Sequence, residues 1–151
     1  MEDFKVKNFE KENVGKLFPR YVSMDGENAK HFVKNISENI FKINLSDGRA
    51  LAQRIHNQSV SVGGLNANFD NFIFSDIFSR LSIVPKSTVF INWFHFDTVD
   101  AFDVKALIEY FTDIWYPQSD DIDIFDDTFS WVISVEHDGT VRAIVKNAQT
   151  N

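Results

Sequence analysis

The chain has 151 residues, a hydrophobic fraction of 44%, a charged fraction of 25% and a formal net charge of -7. That length suits one globular domain with a real core, and the composition excludes wholesale disorder. The absence of cysteine excludes disulfide frameworks, Cys-ligated zinc and thiolate nucleophiles, and no run approaches the roughly 18 apolar residues that a membrane span needs.

Residues 1–20 read as a polar lead-in ending at Pro19 and only loosely ordered. Met1 to Lys16 contains no apolar run of the secretory type, so a cytoplasmic location is expected. A helix is predicted over 25–42, capped by Ser23 or Asp25. Its buried face is Ala29, Phe32, Val33, Ile36 and Ile40, which follow the i, i+3, i+4 rhythm. Asp47-Gly48 marks a turn, 49–56 suits a short helix with Leu51 and Ile55 inward, and Gly63-Gly64 signals a loop within 59–68.

The apolar spacing of 69–81 favours a helix closed by Pro85. Residues 88–96 are the strongest strand, and both alternating faces are apolar, as in a central strand covered on both sides. A helix follows over 103–115, with Asp100 or Asp103 as its cap. Residues 122–125 read as a short edge strand. The segments 131–136 and 140–145 form a hairpin about Asp138-Gly139, a dipeptide suited to a type I′ turn. No repeat or linker divides the chain. The expected architecture is a single α+β domain over 1–151, an antiparallel sheet with a C-terminal hairpin, packed by helices.

Charge is the most informative feature. Residues 97–127 carry ten acids against Lys105 alone, a net of -9. Such a block disfavours nucleic acid as a direct ligand, because phosphates demand neutralising cations. It favours a basic protein. Its densest part is Ser119-Asp120-Asp121-Ile122-Asp123-Ile124-Phe125-Asp126-Asp127. One reading is a solvated edge whose aspartates prevent strand pairing with other chains. A second is a calcium loop at Asp121-x-Asp123, but the turn glycine and the late glutamate of such loops are missing. The third is a partner-binding face of Asp120, Asp121, Asp123, Asp126 and Asp127, with Tyr116 as its aromatic anchor. Trp115 continues the helical stripe and is assigned to the core.

The stretch Ile114-Trp115-Tyr116-Pro117-x-Ser119-Asp120-Asp121-Ile122-Asp123-Ile124-Phe125-Asp126-Asp127, followed by Trp131-x-x-Ser134 and His137-Asp138-Gly139, resembles the C-terminal region of bacterial immunity proteins. These are the partners of contact-dependent and polymorphic toxins. The resemblance covers about the last quarter of the chain. It implies tight one-to-one binding to a toxin domain, often a nuclease with a basic cleft, and it carries over no interface residues.

An enzyme is the rival reading. His95-x-Asp97 closes the strong strand, where a carboxylate can orient an imidazole. His31 and His137 read as surface residues. No nucleophile elbow, zinc-binding helix motif, phosphate loop or dinucleotide fingerprint accompanies the pair. The expectation is therefore a non-enzymatic immunity protein that blocks its toxin through the acidic face, with no catalytic residues, metal or cofactor. A small enzyme or metal-binding protein centred on His95 and Asp97 is the alternative, and a scaffold for another basic partner a third possibility.

Overall fold

The computed structural model describes residues 1–146; the end of the expected domain, 147–151, lies outside them. Seven strands form one antiparallel sheet: β1 (Tyr21–Asp25), β2 (Val60–Asn66), β3 (Thr88–Asn92), β4 (Thr98–Asp103), β5 (Ile122–Phe125), β6 (Trp131–Val135) and β7 (Thr140–Val145). Their order across the sheet is β1-β4-β3-β5-β6-β7-β2. The helices are α1 (Asp3–Glu12), α2 (Gly26–Ile36), α3 (Gly48–Gln58), α4 (Ser75–Leu81) and α5 (Val104–Ile114), and one wide turn, Ser37–Phe41, extends α2. The α+β class and the antiparallel sheet are as expected.

The sheet is covered on both faces, because alternate residues of each strand enter two separate cores. Val89, Ile91, Phe102, Ile122, Ile124, Ile133 and Val141 pack with α1, α4 and α5 through Phe9, Ile77 and Phe111. On the reverse face Val99, Phe125 and Val132 meet α2 and α3 through Phe32, Ile36, Leu51 and Ile55. The sixteen phenylalanines are explained largely by this double core. Phe32 alone packs its ring against those of Phe90 and Phe125, at 4.7 and 5.4 Å between centroids.

Several elements match their expected positions. β3 is central, between β4 and β5. α3 presents Leu51 and Ile55 inward and is capped by Asp47. Asp103 caps α5, accepting from the amides of Lys105 and Ala106 at 2.9 and 3.3 Å, a contact worth about 1 kcal/mol. The β6–β7 hairpin turns at Asp138-Gly139, with Gly139 at φ +88°.

Other expectations are corrected. The lead-in contains α1, whose inward residues are Phe9 and, against its type, Lys5. β1 and β4 were not foreseen: the acids of 97–103 look like cap residues, yet Asp100 lies fully buried inside β4. It accepts from Trp93 Nε1 at 2.7 Å, the Ser23 hydroxyl at 2.5 Å and the Met1 amine at 2.6 Å. β2 crosses the expected Gly63-Gly64 loop as an edge strand with an irregular register between Ser61 and Asn66, the disturbance that glycines introduce in a strand. The expected helix over 69–81 begins only at Ser75, after turns that leave Phe69 and Ile73 exposed.

The correction that matters most concerns β5. It is an interior strand, paired with β3 on one side and β6 on the other. It is not an edge.

Candidate functional site

An interior β5 breaks up the expected acidic face. The register Asn92↔Asp123 and Phe90↔Phe125 sets Asp120 and Asp121 beside the β3–β4 turn, and Asp126 and Asp127 beyond the opposite end of the strand. At that far end Asp126 is fully buried. It accepts from the amides of Lys86 and Thr128, each at 3.0 Å, and from the Thr128 hydroxyl. Asp126 is a turn-forming carboxylate, withdrawn from any partner. Asp127 is exposed on the same turn, apart from the others.

At the near end Asp120 accepts from the Tyr116 amide at 2.8 Å and pairs with buried Lys5. Lys5 also donates to the Ile114 carbonyl at 2.8 Å, and its ammonium lies 4.3 Å from the Trp93 ring centroid and 4.9 Å from that of Tyr116. Desolvation lowers the Lys5 pKa, opposed by Asp120. Half-buried Tyr116 thus helps enclose an internal ion pair, and edge-on contact with Phe4 covers it further. It is not the free anchor expected. Trp115 is core, as expected.

Asp123 leads to the cleft that the sequence hides. Asn92, Asp123, Ser134 and Arg142 are successive cross-strand partners, a polar row across β3, β5, β6 and β7. The next row, Phe90, Phe125, Val132 and Ile144, is wholly apolar and lies beneath α2 and α3. The face of the sheet therefore changes character abruptly along its strands. Asp123 accepts from Asn92 Nδ2 at 2.9 Å and from the Ser134 hydroxyl at 2.6 Å. Arg142 turns aside to the hydroxyl and carbonyl of Ser59.

Asn92 also builds the turn above. Its Oδ1 accepts from the amides of Phe94 and Phe96 at 3.3 and 2.7 Å. Phe96 is buried in the left-handed region at φ +61°, a strained conformation for a bulky side chain that its surroundings must hold. This turn leaves Phe94 with 61% of its surface exposed, its ring centroid 3.6 Å from that of His95. α3 closes the other wall. Gly48 makes that approach possible, since a Cβ there would collide with the His95 carbonyl.

The result is a cleft of about 340 Å³ lined by His56, His95, His137, Asp121, Asp123 and Glu136 among others, with Arg49 as a further charged wall. A neighbouring cleft of about 580 Å³ over Lys5 and Asp120 shares Phe94 and Asp121 with it. Two of the three imidazoles stand beside carboxylates. His137 Nδ1 lies 2.9 Å from Asp121 Oδ1, which also accepts from the His137 amide at 2.7 Å. His56 Nδ1 lies 2.9 Å from Glu136 Oε1, but off the line of a hydrogen bond, so that this buried oxygen has no donor. Burial raises the Asp123 pKa to about 6, against the two hydrogen bonds that hold its charged form. The hydrogen bond that His137 donates to the Asp121 carboxylate raises the His137 pKa.

The structure thus brings His95 into a cleft but leaves Asp97 exposed outside it. Among the described residues no group of three or more His, Asp or Glu is disposed to hold a metal ion, and no helix is long and apolar enough to cross a membrane. His56, Glu136, Asn92, Ser134 and Phe94 are the site residues that sequence reasoning missed. A signal for two of them exists: Ser134 is the lone polar residue of β6, and Asn92 ends the apolar run 89–91 of β3. In comparisons with known proteins, the chain matches no family model, no curated protein and no solved structure.

Proposed function

We propose that this chain is a binding protein for a basic protein partner, and that it acts as an immunity protein masking the active site of a toxin domain in the cytoplasm. The observation that carries this reading is Phe94, an exposed aromatic ring standing between two clefts whose walls include Asp120, Asp121 and Glu136. An aromatic anchor framed by carboxylates supplies both the apolar contact that dominates affinity and the field that steers a cation-rich partner. The interface belongs at this end of the sheet, on Phe94 and Asp121. Asp126 is internal and Asp127 lies at the far end, whereas Asp123 forms part of the cleft. A standard interface covers about 800 Å² on each side. The resemblance of residues 114–139 to immunity proteins points to the same class of partner.

The test pairs the chain with the basic product of an adjacent reading frame. A one-to-one complex that weakens with salt and suppresses toxicity is expected, with Phe94→Ala loosening it by about 10- to 100-fold. Failure of every basic candidate to bind, or full binding by Phe94→Ala, overturns the reading.

A second reading rests on the convergence of His56, His95 and His137 near Asp123, an acid–base set in one cleft. It predicts turnover of a small substrate that His95→Ala abolishes and Phe94→Ala spares.

A further inference from the structure

We propose that the cleft beneath Phe94 receives the guanidinium group of an arginine presented by the partner. This rests on the binding reading above and names the chemistry that reading requires.

The cleft is more than a set of acids. At about 340 Å³ it falls in the size range of small-ligand sites. Its wall contains an underused acceptor: Glu136 Oε1 is a buried oxygen that accepts no hydrogen bond, although the His56 imidazole stands 2.9 Å away. A withdrawn acceptor of this kind is destabilising until a donor reaches it. At the floor, the Asp123 carboxylate is fixed by Asn92 and Ser134, both neutral, so its orientation is set while its charge has no cation. A carboxylate oxygen bonded once retains a lone pair for a second donor. The opposite condition holds around Asp120, which already has Lys5.

The fixed charges agree. Asp121, Asp123 and Glu136 face one permanent cation, Arg49, so the cleft is net negative while its imidazoles are neutral. Phe94 and His95, their rings tilted 33° to one another, add an aromatic wall at the mouth. A guanidinium uses all of these features at once, as a planar fork of donors for two carboxylates and a face that stacks on a ring. An ammonium is a compact, strongly hydrated point charge and uses only the field.

The experiment is an NMR titration of the whole chain with N-acetyl-arginine amide, its lysine counterpart and its uncharged citrulline isostere. The arginine probe is expected to shift the amides of Phe94, Ser134 and His137 and to saturate at about 1–10 mM, the affinity of a few contacts. Lysine should bind roughly fivefold more weakly and citrulline should leave the cleft unshifted. Glu136→Gln, on the cleft wall, should weaken arginine about five- to tenfold. Asp123→Asn should do the same, each variant being checked first for a native amide spectrum. Equal shifts with citrulline, no shifts in the cleft with arginine, or unchanged binding by both variants overturns the proposal. The titration needs no partner. Its failure leaves the binding reading standing, and failure to find a partner leaves its result standing.

Discussion

The two faces of the sheet, at the same end, treat buried carboxylates in opposite ways. On one face Asp100 holds the Met1 amine and Asp120 holds Lys5, each carboxylate meeting a cation from within the chain. On the other face Asp123 meets only the neutral Asn92 and Ser134, and Glu136 Oε1 accepts no hydrogen bond, with only the His56 imidazole beside it at 2.9 Å. The difference teaches how to separate structure from function within one acidic sequence. A buried charge with an internal counter-ion completes the fold. A charge without one that lines a cleft, unlike Asp126 in its closed turn, leaves chemistry open to a visitor.

Breaking the first face should have the largest effect. Lys5→Ala leaves Asp120 without its cation and opens a void beneath Trp93 and Tyr116, so a loss of about 3–5 kcal/mol is expected in denaturant unfolding. A loss below 1 kcal/mol would show that water replaces the lysine and that the pair is not structural.

The second face should reveal itself through pH. The Asp123 pKa rises from 3.8 to about 6 on folding, so between those values the folded state binds the extra proton. Stability contributed by Asp123 is therefore greatest in acid and falls as pH climbs towards 6, by up to about 3 kcal/mol. Asp123→Asn should remove that component. The measurement is the difference between the two stability–pH curves, and a flat difference from pH 4 to 6 contradicts the assignment.

Gly48→Ala tests the close approach of α3 to the β3–β4 turn at the cleft. Its Cβ has no room against the His95 carbonyl, so a destabilisation of about 1–3 kcal/mol is expected, with amide shifts concentrated at Phe94 to Phe96. The smallest effect on stability comes from the two exposed aspartates. Asp121→Asn and Asp127→Asn should each change stability by less than about 0.5 kcal/mol. Only Asp121→Asn should slow association with a basic partner, and it should return the His137 pKa towards its ordinary range. Equal slowing by both would restore the continuous acidic face that β5 rules out geometrically.

The sequence made periodic elements legible where apolar spacing and turn chemistry agree: α2, α3, α5, β3 and the β6–β7 hairpin. It concealed those whose inward residues are polar. α1 packs through Lys5 and β4 through Asp100, and no hydrophobic pattern marks a charge that is buried by a partner distant in the chain. For the site, His95 and the density of aspartates were visible, but their division was not. Whether an aspartate between Ile122 and Ile124 faces water depends on what lies beyond the strand on each side. For β5 those neighbours are β3, some 30 residues earlier, and β6. The pairing of His56 with Glu136 depends likewise on α3 meeting the hairpin, a relation that local spacing cannot express.

The order of strands also governs assembly in time. β1 pairs with β4, and β2 pairs with β7, so each outer strand is made well before the neighbour it needs. During synthesis β2 has no partner until residues 140–145 emerge, and the chain must close that long loop before the bond pays back its entropy. The central strands β3, β5 and β6 come from the second half of the sequence. The nascent chain therefore carries α2, α3 and an unpaired β2 ahead of the sheet that will hold them, and the seven-stranded sheet closes only once β7 has emerged.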